Sequence, residues 1–304
     1  MATSFLVDML LGGLSAGIAK LAAAPLENIK LLKQCQHYRS PLTDRIEPKY
    51  SEAYLGIPLL LELPRRTGSY QSLFGGTIVN LLRYFPTQAL NFALKDYLRN
   101  LLPTVRRDRS FLLNFLSLLA SGGAAGALSL AVVYPLDTLR THMGLNAMLE
   151  RPLYTGYWDC IKQLVRNHPL ALYAGFQVSV LGIVFYRGFY FGLYDGLRPV
   201  RDQLDRLFSR NALWQASSRF VFAVAVSSAA GFITYPFDTI RRCQMLTGKS
   251  VIGATVAIVE EGGGCTALWT GAGENVLRTI LSSLVLVGYD MAKSIVAPSK
   301  PKHT

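Results

Sequence analysis

One short motif occurs three times along the chain and each time offers an acid and a base. It consists of a proline, any residue, an acid, two further residues and a base, and its prolines are Pro25, Pro135 and Pro236. Residues three positions apart share one face of a helix, so the two charges of each motif point the same way. The charged residues are Glu27 with Lys30, Asp137 with Arg140, and Asp238 with Arg241.

These charges have two alternative sets of partners. Each acid can pair with the base of its own helix, an interaction worth about 0.2–0.5 kcal/mol. Alternatively, each acid reaches the base of the next helix, and the three pairs form a ring. Local pairs need no symmetry, so the threefold repetition favours the ring. The predicted pairs are Glu27–Arg140, Asp137–Arg241 and Asp238–Lys30, and Gln34 is placed to brace them by hydrogen bonding.

A second motif, an acid followed three residues later by a base, comes after each proline motif and ends an apolar stretch. Its copies are Asp96 with Arg99, Asp195 with Arg198, and Asp290 with Lys293. The same reasoning predicts a second ring, closed by Asp96–Arg198, Asp195–Lys293 and Asp290–Arg99. Tyr194 and Tyr289, which directly precede two of the acids, are its predicted braces.

Three basic residues lie between the two rings in otherwise apolar stretches: Lys20, Arg83 and Arg278. A charge near the centre of a bilayer costs about 2.5–3.5 kcal/mol, so such residues usually face a bundle interior or a watery cavity. Their offsets from the motifs place all three at a similar depth, and three convergent cations suit a polyphosphate. The alternative is that each base pairs with a buried acid or extends to the interface. Few acids lie in the helix centres, which favours phosphate binding.

Two long helical stretches per repeat must carry these motifs, with the proline motif on the first and the acid–base motif on the second. Each stretch is long enough to cross a bilayer, and the prolines are expected to kink the first helix of each repeat. The predicted helices are 4–35, 76–101, 111–143, 176–200, 213–244 and 273–296, with short amphipathic stretches near 55–66, 157–167 and 252–261. The repeats span about 4–103, 111–202 and 213–297 of one domain, 1–304.

The composition excludes several classes of protein. Hydrophobic residues make up 51% of the chain and charged residues 16%, yet the formal net charge is +12. An apolar and basic chain indicates a membrane protein with an anionic ligand or anionic lipid partners. Many basic residues interrupt apolar runs, which argues against nucleic-acid binding. The chain has no phosphate-binding loop, no dinucleotide-binding glycine motif and no metal-ligand spacing, so we expect neither an enzyme nor a cofactor or metal.

The threefold motif at this spacing resembles the mitochondrial carrier family over nearly the whole chain, and within it the ADP/ATP carriers most closely. The resemblance implies an all-α membrane protein of six transmembrane helices with pseudo-threefold symmetry and short amphipathic helices on the matrix side. It implies the inner membrane of a mitochondrion or of a mitochondrion-derived organelle. The segments that carry it are 83–96, 121–127, 134–137, 175–180, 235–239 and 275–278.

The resemblance also implies a function, the exchange of ADP for ATP by alternating access. The proline-motif ring would be the matrix gate and the second ring the cytoplasmic gate. Lys20, Arg83 and Arg278 would bind the nucleotide phosphates, and Gly182, Ile183 and Tyr186 would form the adenine pocket. Further contacts are expected from Asn91, Arg187 and Arg242. The expected partners are ADP, ATP and cardiolipin, and a monomer suffices because each bundle contains one path.

Four departures from the ADP/ATP carrier pattern leave alternatives open. The hallmark of three arginines and three methionines is reduced to two arginines and one methionine within 241–246. The third matrix segment has ten residues from Gly253 to Gly262, Asn28 stands where a base is expected, and Phe74-Gly75-Gly76 lacks the basic residue linked with cardiolipin. The alternatives are a carrier for another nucleotide or anionic metabolite, and a degenerate carrier that acts as a membrane scaffold.

Overall fold

The computed structural model describes most of the chain as helix. No strand occurs among the residues that it describes. The side-chain positions are described for some of these residues. The described residues are 2–35, 64–65, 68–84, 86–87, 90, 111–149, 152–167, 170–208 and 212–296.

The long helices are joined by short surface helices and 3-10 turns. The helices, numbered along the chain, are α1 (Ala2–Cys35), α2 (77–84), α3 (Phe111–Asn146), α4 (Tyr157–Asn167), α5 (Phe176–Phe208), α6 (Ala212–Ile233), α7 (Tyr235–Thr247), α8 (Val251–Glu261) and α9 (Ala272–Val296). The 3-10 turns are Tyr70–Phe74, Ala171–Tyr173 and Cys265–Trp269, and each precedes the second long helix of its repeat.

Most predicted elements coincide with observed helices. The amphipathic stretch predicted at 157–167 is helix α4, and the one predicted at 252–261 is helix α8. Helices α3 and α5 run three and eight residues past their predicted ends. The stretch 55–66 lies outside the described residues apart from 64–65, as does the part of the second predicted helix after residue 90.

The prediction of one helix over 213–244 is wrong, because the structure interrupts it at Thr234. Helices α6 and α7 meet there at an angle of 54°. Pro236 follows two residues later, and its missing N–H removes the helical hydrogen bond to the carbonyl of Phe232. The indole of Trp269 donates to that carbonyl instead, at 3.0 Å.

The proline of the second repeat has an equivalent contact although its helix is continuous. Pro135 leaves the Ala131 carbonyl without its helical donor, and the hydroxyl of Tyr173 donates to it at 3.2 Å. Tyr173 and Trp269 occupy the same place in their repeats, at the end of the 3-10 turn. In the first repeat that place holds Phe74, whose side chain has no donor.

By length and composition, one described helical stretch qualifies as a membrane span, Ala171–Gln203. Two bent pairs raise the number to three if each pair is counted as one span. They are Phe220–Ile233 with Tyr235–Thr247, and Val251–Glu261 with Cys265–Val285, which bends by 108°. The span within α5 exposes large apolar side chains, among them Leu181 and Phe185. Such a surface is suited to lipid contact.

The hydrophobic core lies at the proline-motif end of the bundle. Ile29 of α1, Leu139 of α3 and Cys243 of α7 are buried there, together with Ile258 of the surface helix α8. Helix α1 packs against α9, and α5 packs against α3, α6 and α7. This packing brings the first helices of the three repeats together at one end and so places their charged motifs in register.

Candidate functional site

The three proline motifs meet as a ring of ion pairs between helices. Lys30 binds Asp238 with 2.7 Å between Nζ and Oδ2. Arg140 binds Glu27, and Arg241 binds Asp137, each through a guanidinium nitrogen. The three pairs are those that the repeat spacing predicts across helices. Gln34 is buried beside Lys30 and donates to Asp238 at 3.4 Å and to Thr239 at 3.3 Å.

Each carboxylate of this ring holds a second cation. Arg278 lies 3.3 Å from Glu27, Arg83 lies 3.2 Å from Asp137, and Arg242 lies 3.4 Å from Asp238. Our expectation that the central bases lack acid partners is therefore wrong for Arg83 and Arg278. One helical turn separates them from the ring, and their long side chains span that distance. In this conformation the ring acids hold both arginines.

Two asparagines connect the central arginines to the ring. Asn80 donates to Glu27 at 3.1 Å and accepts from Arg83 at 3.4 Å. Asn275 occupies the same place in the third repeat, where its oxygen accepts from Lys30 at 2.9 Å and from Arg278 at 3.4 Å. Sequence reasoning missed both residues. Their common signal is an asparagine four residues after the helix-opening glycine in two of the repeats.

The cluster has more positive than negative charge. Its carboxylates are Glu27, Asp137 and Asp238, and its bases are Lys20, Lys30, Arg83, Arg140, Arg241, Arg242 and Arg278. Lys20 lies beside the other members of the cluster. Its ammonium lies 4.6 Å from the centre of the aromatic ring of Tyr84, the residue that follows Arg83. The Nε atoms of Arg83 and Arg241 are buried without an acceptor in the described part of the protein. Excess cations with free donors suit an anionic ligand with several oxygens.

The ring is positioned by contacts that recur in all three repeats. The residue after each ring acid donates its side chain to a 3-10 turn: Asn28 to the carbonyl of Leu73 at 2.7 Å, Thr138 to Leu172 at 2.8 Å, and Thr239 to Leu268 at 2.8 Å. Asn28, which departs from the expected basic residue, therefore makes the same contact as the two threonines.

Glycines open the second helix of each repeat against the ring backbone. Gly76, Gly175 and Gly271 all have positive φ angles, between 71° and 87°. A Cβ at Gly76 would lie 2.8 Å from the carbonyl oxygen of Arg140, and one at Gly175 would lie 2.8 Å from that of Arg241. The ring bases thus sit at helix crossings that only glycine permits.

The three residues predicted to form an adenine pocket line one cavity of about 150 Å³. Gly182, Ile183 and Tyr186 contribute from α5, and the cavity also reaches Asp238 and Arg241 of the ring. Gly182 lies against the side chain of Phe237, because a Cβ at Gly182 would lie 3.2 Å from Phe237 Cβ. Phe237 also lines the cavity, and sequence reasoning missed it. The cavity is apolar on one side and adjoins the basic cluster on the other.

A ladder of tyrosines leads from this cavity along α5. Tyr186 stacks on Tyr190 with 6.2 Å between ring centroids, and Tyr190 stacks on Tyr194 at 6.1 Å. Tyr190 was also missed, although the spacing of four residues between the three tyrosines places them on one helix face. The hydroxyl of Tyr186 lies 3.0 Å from that of Ser227. Arg187 packs against α3, within 3.3 Å of where a Cβ of Gly126 would lie.

At the other end of α5, the residues of the second ring are exposed. Asp195 and Arg198 line an open cavity of about 430 Å³, and Arg198 lies 3.8 Å from Asp202 of its own helix. Tyr194 accepts a hydrogen bond from Arg201 at 3.4 Å. The predicted partners of these residues fall beyond what the structure describes. Asn91, Asp96 and Arg99 lie outside the described residues, and the side chains of Tyr289, Asp290 and Lys293 lie outside the described side chains.

Comparisons with known proteins agree with the threefold repetition. The family model described as mitochondrial carrier protein matches residues 2–106, 112–201 and 215–300. The chain is 40% identical over 306 residues to human ADP/ATP translocase 4, covering 96% of this chain and 92% of the relative. It is 39% identical over 311 residues to ADP,ATP carrier protein 1, mitochondrial, of Gossypium hirsutum, covering 98% and 77%. The ADP,ATP carrier protein of Parachlorella kessleri is 39% identical over 303 residues, covering 97% and 86%. The chain therefore belongs to the mitochondrial carrier family.

Proposed function

We propose that this carrier exchanges ADP for ATP. The observation that carries the proposal is the basic cluster around the ring, which adjoins the cavity of Gly182, Ile183 and Tyr186. Guanidinium groups bind phosphate oxygens, and a cavity that is apolar on one side and contains a tyrosine accepts a purine ring. The similarity to ADP/ATP carriers over nearly the whole chain supports the same substrates.

Each ring acid is bound by two cations, and this couples substrate binding to the gate. Arg83 and Arg278 hold Asp137 and Glu27 while the ring is closed. A polyphosphate that draws these arginines away removes one cation from each of two ring acids, and this loosens the ring. Substrate binding thereby offsets the loss of ring pairs as the carrier passes between its two closed states. An empty carrier lacks that compensation, so transport is an obligatory exchange.

The ring of the three proline motifs is the matrix gate in its closed conformation. Asp195 and Arg198 belong to the cytoplasmic gate, which Tyr194 and Tyr289 brace. The other members of that gate are Asp96, Arg99, Asp290 and Lys293. Lys20, Asn91, Arg187 and Arg242 complete the substrate contacts. The exposure of Asp195 and Arg198 supports an open cytoplasmic mouth.

The protein is a multi-pass carrier of the mitochondrial inner membrane, acts as a transporter without catalysis, and works as a monomer. Anionic lipid, cardiolipin in particular, binds around the second repeat. A groove of about 680 Å³ supports this lipid site. It lies at the N-terminus of α5, where backbone N–H groups favour a phosphate, and it runs between Tyr173 and Met245.

The test is uptake of labelled ADP and ATP into liposomes that contain the purified protein. The liposomes are preloaded with either nucleotide or left empty, and other nucleotides and metabolites are offered in parallel. Uptake should require internal ADP or ATP and should fall about 10- to 150-fold in Arg83→Ala, because a charge-assisted contact worth about 1.5–3 kcal/mol is lost.

The matched control is Arg166→Ala, which removes an exposed arginine of the surface helix α4, a helix that contributes no residue to the ring. This variant should exchange nucleotides at the rate of the unaltered protein. Folded protein that takes up no adenine nucleotide would refute the proposal. Uptake of another anion would then identify a carrier of a different solute. No uptake of any of the nucleotides and metabolites offered would indicate a scaffold.

A further inference from the structure

One buried ion pair breaks the threefold symmetry of the ring. Lys33 of α1 binds Glu274 in the first turn of α9, and the side chains are 8% and 10% exposed. Lys33 lies one helical turn beyond the ring base Lys30. Glu274 directly precedes Asn275, whose oxygen accepts from that same Lys30 at 2.9 Å. Two successive turns of α1 therefore hold the start of α9.

The equivalent places in the other repeats hold uncharged residues. Counting from the motif prolines, Lys33 corresponds to Met143 and Gln244. Counting from the helix-opening glycines, Glu274 corresponds to Val79 and Val178. Met143 and Val79 both belong to the hydrophobic core, so that crossing is apolar. Among the three equivalent crossings, which all lie within the described part of the chain, only the one between α1 and α9 carries a charged pair.

We propose that Lys33 and Glu274 form a fourth gate pair, which exists while the ring is closed and separates when it opens. Opening the ring moves α1 away from Asp238, and because Lys30 also binds Asn275 of α9, the same movement displaces α1 from the start of α9. In the closed ring the two charges are buried and compensate each other. In the open ring, water reaches both of them, so each is stable alone. This inference deepens the proposed gate.

A buried charge without its partner is unfavourable, and this fixes the direction of the effect. Replacing Glu274 by glutamine removes the negative charge that compensates Lys33. The ammonium of Lys33 is then buried without a counter-charge, but only while the ring is closed. The closed ring is then disfavoured relative to the open one. Exchanging the two charges, in Lys33→Glu with Glu274→Lys, restores a pair of opposite sign at the same place and should restore the closed ring.

Opening can be measured without any nucleotide by labelling a cysteine on the matrix side of the ring. Cys35 of α1, two residues after Lys33, is a native cysteine that is buried in the closed ring, and it serves as the reporter in every variant. The purified full-length protein reacts with a polar maleimide, and mass spectrometry follows the peptide that contains Cys35. Glu274→Gln should speed labelling about ten-fold, which corresponds to about 1.4 kcal/mol. The charge-exchanged variant should label at the rate of the unaltered protein.

The control is Glu260→Gln, which neutralises an exposed acid of α8 and should leave the labelling rate unchanged. If Glu274→Gln does not fold, Lys33→Met provides the same test with the acid left unpaired. Labelling that stays unchanged in folded Glu274→Gln, or that stays fast in the charge-exchanged variant, would overturn the fourth pair. Failure of nucleotide exchange in the unaltered protein would instead overturn the proposed substrate and leave the labelling result standing.

Discussion

Replacing Gly271 by alanine tests whether the close helix crossing at the ring is essential. Gly271 has a φ of 87°, and a Cβ there would lie 2.8 Å from the hydroxyl of Tyr235 and 3.3 Å from the carbonyl oxygen of Lys30. The Tyr235 side chain is buried, and its hydroxyl donates to the carbonyl of Thr270 at 3.1 Å, so neither neighbour can move freely.

The cost has two parts. A left-handed conformation costs an alanine about 1–2 kcal/mol. Overpacking by a methyl group in a well-packed region costs about 1–3 kcal/mol. Gly271→Ala should therefore destabilise the closed ring by about 2–5 kcal/mol and lower the midpoint of thermal unfolding by several degrees.

Gly273→Ala is the matched control, two residues further along the same chain. A Cβ at Gly273 meets nothing within 4 Å and lies inside helix α9. Alanine is favoured over glycine in a helix by about 1 kcal/mol, so this variant should be as stable as the unaltered protein or more so. Thermal unfolding of both purified variants decides the matter. Equal midpoints for the two variants would refute the proposed crossing.

Two further predictions concern single side chains. Trp269→Phe removes the donor to the Phe232 carbonyl and should lower the free energy of unfolding by about 1 kcal/mol, measured by thermal unfolding. The same change in a variant with Phe232 already replaced by alanine should cost as much, because the bond involves the backbone. Cys265 is exposed and should react with a maleimide, whereas Cys160 is buried, and burial raises the pKa of its thiol to about 12. Its reactive thiolate is therefore scarce at neutral pH, and labelling of Cys160 before Cys265 at pH 7 would contradict this.

The repeats allowed the sequence to determine the ring pairs. Each acid of the proline motif has one base of the same motif on its own helix and others on its neighbours. The motif recurs at spacings of 110 and 101 residues, and this repetition favours pairing between helices because pairs within one helix need no symmetry. The structure has those pairs, and the short helices α4 and α8 follow equally from local amphipathic patterns. Patterns that repeat can be aligned to each other within one sequence.

Features that break the repetition were decided by the tertiary structure. Lys33 and Glu274 are 241 residues apart, and no local pattern pairs them. The second cation comes from another helix for Glu27 and Asp137, namely Arg278 of α9 and Arg83 of α2. For Asp238 it is Arg242 of the same helix. Which base reaches an acid depends on side-chain length and helix offset, which the motif does not contain.

The break at Thr234 shows the same limit within one helix. All three motifs contain a proline, yet α1 and α3 continue through Pro25 and Pro135 while the chain turns before Pro236. A proline always removes one helical hydrogen bond, and the sequence determines that much. Whether the helix then bends depends on what its neighbours pack against and on which donor reaches the freed carbonyl, and only the folded chain supplies those contacts.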